Sequence, residues 1–244
     1  MPLRRDKRIF SVGADAKTVK GERRRYLTGI LYLAPNTLSG WQVCSHATPG
    51  CIAACLNTAG RGQYTAVQIA RVKKTRELFT FHDEFLALVH WNIARVIRLA
   101  RQRRMTPVIR LNGTSDLPWE RFRYQGHTMM EHFPHIQFYD YTKHPARMAA
   151  FLRRTRWPRN YFLTFSRSET NDKACRFLLR QRGTVAVVFA IPRTQPLPTH
   201  WRGQRVVDGD QDDLRFLDPP GVIVGLRAKG RARQDTTGFN TQAA

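Results

Sequence analysis

Three of the chain's four cysteines, Cys44, Cys51 and Cys55, fall within twelve positions, spaced C-x6-C-x3-C. They lie in a stretch rich in Pro, Asn, Ser and Gly, which reads as a long loop. Three thiolates with no fourth nearby leave one coordination position open. A [4Fe–4S] cluster held by three cysteines fits that pattern, and its remaining iron could bind a cofactor. Zinc is the alternative, with His46 as a fourth ligand in a C-x-H arrangement, although the C-x2-C knuckle of structural zinc sites is missing. A disulfide is disfavoured by a reducing compartment. Inert buried thiols fit poorly with Pro49, Gly50 and Asn57 around them. Cys175, in KACRFLL, reads as a core residue of a helix.

Other polar groups gather in sets. Asn112, Thr114, Ser115 and Asp116 form one; Asp140, Tyr141, Thr142 and Lys143 a second; Ser166, Arg167, Ser168, Glu169 and Asn171 a third. Asp208, Asp210, Asp212, Asp213, Arg215 and Lys229 follow late in the chain. Each set comes just after a short apolar run. Alone, any of them reads as a solvent-facing loop tip or a helix cap, as Asp116 before LPWE and Ser168 before ETND could be. Their information lies in convergence, because ligands of parallel sheets bind beyond the C-terminal ends of the strands.

The elements that must position these groups follow from periodicity. Leu27 to Leu33 is an apolar run that reads as a buried strand, and the cysteine loop follows it. Helices are expected over Thr65–Leu78 and His82–Arg104. In the second, Phe85, Leu88, Val89, Ile93, Val96, Ile97 and Ala100 recur at helical spacing. Five more strand units start at Pro107, His135, Asn160, Thr184 and Gly221, and Val206-Val207 is a candidate seventh strand. Strands alternating with crossovers imply an α/β fold with mainly parallel strands: a single-domain partial β/α (TIM-like) barrel, with a doubly wound open sheet as runner-up. Residues 1–26 read as a basic N-terminal arm with a short strand near Ile9 to Val12. Residues 27–230 are the barrel-like domain, and 231–244 a polar C-terminal tail, loose or wrapped on the surface.

Lys and Arg number 41 against 18 Asp and Glu, a net charge of +23. So large an excess is self-repelling unless a polyanion is near, and nucleic acid is the usual partner. An Arg-rich proteome would give the same composition. Arg95, Arg98 and Arg101 line the polar face of the second helix and are the candidate phosphate contacts. Cations in a last helical turn also suit the helix dipole without any partner. No signal peptide or apolar run of about 18 residues is seen, which points to the cytoplasm and no membrane partner.

The stretches LYLAPNTLSGWQVCSHATPGCIAACLNTAGRG, RLNGTSDLPWE, FPHIQFYDYTKHPAR, NYFLTFSRSETN, VVDGDQDDLRFLDP and GLRAKGRARQDTTGF resemble the phage and plasmid gene product 88 family, over most of Leu31 to Phe239. A more distant similarity is to radical S-adenosylmethionine enzymes, which place three cysteines in the loop after the first strand of a partial β/α barrel. That similarity implies a [4Fe–4S] cluster on Cys44, Cys51 and Cys55 with S-adenosylmethionine on the open iron. It also implies cofactor contacts from Asn112, Thr114 and Asp116, where those enzymes carry a glycine-rich segment, and from Ser166, Arg167 and Glu169. The sequence departs from their pattern, which is usually C-x3-C-x2-C with an aromatic before the last cysteine. Here that residue is Ala54, and the glycine-rich segment is reduced to Gly113.

Two functions follow. The first is a cluster-dependent enzyme that modifies nucleic acid or a nucleotide, with Asp140 and Lys143 as candidates for substrate binding or proton transfer. The second is a non-enzymatic nucleic-acid binder whose loop is stapled by zinc. A metal-free hydrolase lacks any recognisable motif: no G-x-S-x-G, P-loop or H-E-x-x-H occurs.

Overall fold

A computed structural model describes residues 3–4, 6–13 and 16–242; expectations for the remaining positions lie outside the described residues. In chain order come β1 (Phe10–Val12), α1 (Ala16–Glu22), β2 (Tyr26–Leu31), α2 (Pro49–Ala53), α3 (Thr65–Thr80), α4 (His82–Gln102), β3 (Thr106–Arg110) and α5 (Met129–His132). Then follow β4 (Gln137–Thr142), α6 (Pro145–Arg153), β5 (Tyr161–Ser166), α7 (Asp172–Arg180), β6 (Val185–Phe189), β7 (His200–Trp201), β8 (Gln204–Asp208) and β9 (Ile223–Arg227).

The strands form one sheet in the order β1-β2-β3-β4-β5-β6-β9-β8-β7. Seven of them, β2 to β6 with β9 and β8, run parallel. Parallel strands are covered on both faces, so they read as near-continuous apolar runs, as VAVVF of β6 does. β1 pairs antiparallel with β2, and β7 antiparallel with β8. These two short strands occupy the two edges, so the sheet is open, and the TIM-like barrel expected from the strand count is not closed.

α4 carries the helical spacing anticipated for it. Phe85, Leu88, Val89, Ile93 and Val96 are buried, each burial contributing roughly 1.5–3 kcal/mol. Its approach to the sheet is close: a Cβ at Gly29 of β2 would lie 2.8 Å from Val96 Cγ2. α3 is different. It buries Arg71, Thr75 and Glu77 along with Leu78, while Ile69 is 62% exposed. Its inner face is polar because it braces loops rather than core. Thr75 Oγ1 accepts from Ala34 N at 2.8 Å, Arg71 Nη1 donates to Asn57 Oδ1, and Glu77 pairs with Lys7. No helix among the described residues is long and apolar enough to cross a membrane.

Candidate functional site

The cysteine loop connects β2 to α3, and its three thiols come from two pieces of backbone. Cys44 sits in an irregular stretch, where its backbone N–H donates to Gln42 Oε1 (2.8 Å) and its Sγ accepts from Asn36 N (3.4 Å). The thiol points toward the segment after β3, donating to Thr114 O at 3.8 Å. Cys51 lies on α2, which begins with Thr48 as N-cap and Pro49 in its first turn. Both residue types are favoured there, the first for its hydroxyl acceptor and the second because its missing N–H costs nothing. Cys55 follows Cys51 by four residues but lies past the end of α2, just before the 3-10 turn Leu56–Thr58.

All four cysteines are free. Burial pushes the Cys44 thiol up to about 12, helped by Cys55, Asp116 and Cys51. Burial also raises Cys55, with Cys51 adding to the rise and Lys143 and Arg71 opposing it. Cys44 and Cys55 thus both lie near Cys51, and the Lys143 and Arg71 cations stand close to Cys55. Among the described residues no three His, Cys, Asp or Glu side chains converge as ligands of a single ion. His46, the expected fourth zinc ligand, instead lies against His144, ring centroids 4.1 Å apart.

The strand-end residues do converge on this loop, and most of their polar atoms are committed to holding it. Glu169, beyond β5, accepts from Gly50 N at 2.7 Å and from Thr48 Oγ1 at 2.8 Å, so its carboxylate clamps the start of α2. Asn112 organises the turn after β3: its Oδ1 accepts from Ser115 Oγ and Leu117 N, and its Nδ2 donates to Leu117 O. Thr114 Oγ1 donates to Leu33 O, and Asp116 N to Val43 O, tying that turn to the cysteine loop. The Asp116 carboxylate accepts from Arg147 Nη1 (2.6 Å), Lys143 N (2.8 Å) and Thr142 Oγ1 (3.1 Å). Asp116 is therefore a bracket between two strand-end segments, not the helix cap that its place before LPWE suggested.

Asp140 is 0% exposed and lies in β4, not at an open tip. It accepts from Asn112 N (2.7 Å) and Tyr161 OH (2.9 Å). Burial pushes its carboxyl up to about 7 against the pull of Arg110, the Asn112 and Tyr161 donors and Arg147. Lys143 is half-buried; its Nζ donates to Ser166 Oγ at 2.8 Å and stands 5.5 Å from the Phe239 ring centroid. Arg167 donates to Asp172 Oδ1 and to the carbonyls of Gly238 and Phe239, each within 2.9 Å, so it fastens the C-terminal segment beside the loop. Ser168 caps no helix: α7 starts at Asp172 with Asn171 as its N-cap. The late acids pair away from the cysteines, Asp213 with Arg110 at 2.7 Å, Asp210 with Lys229 at 2.7 Å and Asp212 with Arg24 at 3.1 Å. Cys175 is buried in α7. Arg98 and Arg101 are exposed on α4, and Arg95 is half-buried beside Arg8 and Arg98.

Three participants escaped the sequence reading. Arg147 looked like one more surface arginine, yet it is buried against Asp116, Glu120 and Tyr161. Arg71 is hidden in a basic helix, and Phe239 lies in a tail whose docking is set by distant residues. No local signal marks any of them.

The fold and site together define an α/β protein with an open, mostly parallel sheet and a three-thiol loop clamped at its strand ends. The chain belongs to the gene product 88 family, whose model matches residues 5–243. No curated protein and no solved structure matches it.

Proposed function

We propose that the protein is a cluster-dependent enzyme, with a [4Fe–4S] group held by Cys44, Cys51 and Cys55, acting on nucleic acid or a nucleotide in a reducing cytoplasm. One observation carries this reading: three free, partly buried cysteines lie on one connection, clamped by Glu169 at the C-terminal edge of a parallel sheet. The donor set fits. It is all soft sulfur, which suits iron–sulfur groups, and a cluster takes each thiolate on a separate iron, whereas zinc needs four ligands meeting at one ion. The run of parallel strands from β2 to β6 suits a partial β/α barrel of the radical S-adenosylmethionine type.

With an open iron, such a group supplies one-electron chemistry on S-adenosylmethionine. The chain's own residues do the rest. Glu169 and Thr48 orient the loop, Lys143 sets positive charge beside Cys55, and Phe239 keeps water from one side. Asn112, Asp116, Arg167 and Glu169 do not fit as cofactor contacts, because their polar atoms are committed to neighbours; we assign them to positioning. Asp140 is enclosed and is assigned there too. Of the two candidates for substrate binding or proton transfer Lys143 remains, its ammonium donating to Ser166 Oγ.

The test is anaerobic reconstitution followed by incubation with S-adenosylmethionine and a strong reductant. Release of methionine and a deoxyadenosyl product, abolished in Cys44→Ala, Cys51→Ala and Cys55→Ala, supports the proposal. The rival, a nucleic-acid binder stapled by zinc, draws on the net charge of +23 and the exposed Arg98 and Arg101. It predicts no turnover and a salt-sensitive loss of binding when Arg95, Arg98 and Arg101 are neutralised together.

A further inference from the structure

Beside the cysteine loop a cleft of about 610 Å³ opens between α3 and two 3-10 turns, Gly60–Gln63 and Gly230–Gln234. Gln63, Gln68, Arg231, Arg233 and Gln234 line it, and no Asp or Glu does. Arg231 and Arg233 are exposed, and neither has a hydrogen-bond or ion-pair partner among the described residues. The arginines of the strand ends and of α6 behave otherwise: Arg110, Arg167, Arg227 and, in α6, Arg147 each grip a carboxylate. Two unneutralised guanidiniums side by side attract an anion.

The cleft is a built feature. Gly230 has φ +56°, and a Cβ there would come within 2.9 Å of Ala59 Cβ and 3.0 Å of Thr58 O, so one turn rests directly on the chain that carries the cysteines. Asp235 accepts from Thr237 N (3.1 Å) and Asn240 N (2.8 Å), and Asn240 Nδ2 donates to Ala232 O, which fixes the arginine-bearing turn. Behind that turn Ala232 packs with Ala54, Ala228 and Phe239, and Cys51 packs against the same cluster. The cleft and the thiol loop therefore share a wall. Beside it stands Tyr64, the N-cap of α3: it is 59% exposed, follows Gln63 in the chain, and its carbonyl accepts from Gln68 N at 3.1 Å, and both glutamines line the cleft.

These groups divide by chemistry. Guanidiniums bind phosphate bidentately. Carboxamides both donate and accept, which matches base edges. An exposed phenol ring is a stacking platform for an unpaired base. We propose that the cleft is a subsite for one nucleotide of a single-stranded nucleic acid, with phosphate on Arg231 and Arg233, base edges on the exposed Gln63 and Gln234 and stacking on Tyr64. A duplex offers the phosphate contact, but its bases are stacked inside the helix and cannot enter a cleft of one-nucleotide size or stack on a side chain. The proposal names the substrate class of the enzyme above and rests on that reading for its purpose, not for the binding itself.

The test uses the full-length chain, purified anaerobically, and fluorescence anisotropy with labelled single-stranded DNA and RNA of about 12 nucleotides. Affinity is measured across about 50 to 200 mM salt. The double variant Arg231→Gln/Arg233→Gln is expected to weaken binding at least about tenfold and to flatten the log–log salt slope by about 0.7 per arginine. Tyr64→Ala is expected to weaken it about tenfold with the slope unchanged. Arg98→Gln/Arg101→Gln on α4 serves as the control and is expected to change little. All these side chains are exposed, and an unchanged melting curve confirms the fold. Cleft variants that bind like the wild type, or a larger loss in the α4 control, overturn the subsite. A mononucleotide that binds as tightly as the strand, with the same arginine dependence, overturns the strand assignment. Iron content of the same samples reads the cluster separately, so strand binding lost with iron kept, or the converse, assigns each failure to its own proposal.

Discussion

Replacing Glu169 separates a clamp from a chemical role. Its carboxylate accepts from Gly50 N at 2.7 Å and from Thr48 Oγ1 at 2.8 Å, and Gly50 is buried. Glu169→Ala leaves the Gly50 N–H without its acceptor, which costs about 1–3 kcal/mol, and removes a second charge-assisted bond. The expected loss is about 3 kcal/mol in urea unfolding. Glu169→Gln keeps one acceptor oxygen for Gly50 and loses only the charge assistance, about 1 kcal/mol. Because this bond sets the start of α2, iron retention is expected to follow the same ladder, wild type above Gln above Ala. Equal stability of Ala and wild type would refute the clamp. If Glu169→Gln destroyed activity as fully as Ala while keeping fold and iron, the carboxylate would act on substrate instead.

Three further outcomes follow from the packing. Arg147→Met removes the buried partner of the half-buried Asp116 and Glu120, of which Asp116 keeps its Lys143 N and Thr142 Oγ1 donors, and is expected to cost about 3 kcal/mol; adding Asp116→Asn and Glu120→Gln should recover much of it, as denaturation curves will show. Asp140, with its carboxyl raised to about 7 by burial, holds its proton in the native state at pH values where the unfolded chain has lost it. Its stabilisation is full below about pH 4 and is lost as pH rises through about 7, up to about 4 kcal/mol. Wild-type stability should therefore fall across that window relative to Asp140→Asn, and parallel profiles would refute the shift. Gly29→Ala forces a methyl into Val96, 2.8 Å away, and should cost about 1–3 kcal/mol, with partial rescue by Val96→Ala.

What the sequence revealed depended on whether one residue type dominated its own surroundings. β4, β5, β6 and β9 announced themselves because buried parallel strands need apolar side chains on both faces. α4 did so because its apolar stripe is interrupted only by the buried, hydrogen-bonded Asn92. α3 was legible only as a helix: its apolar Val67, Ile69, Ala70 and Val72 are not the buried face, which is Arg71, Thr75, Glu77 and Leu78, since this helix meets a polar loop. One edge was legible, the short strand expected near Ile9 to Val12 being β1, and the other was not: β7 spans only His200–Trp201, too short for a pattern, yet the two together leave the sheet open. At the site, the polar strand ends were legible as a group. Their commitment to one another was not, because Asp116 and Arg147 are 31 residues apart and meet only through the fold.

The central claim is that Cys44, Cys51 and Cys55 together hold an iron–sulfur cluster. Iron, sulfide and zinc analysis of anaerobically purified protein tests it most directly, beside the Cys44→Ala/Cys51→Ala/Cys55→Ala variant. The prediction is about four irons and four sulfides per chain, absent from the variant. One zinc per chain, or iron that persists without the three thiols, would contradict it.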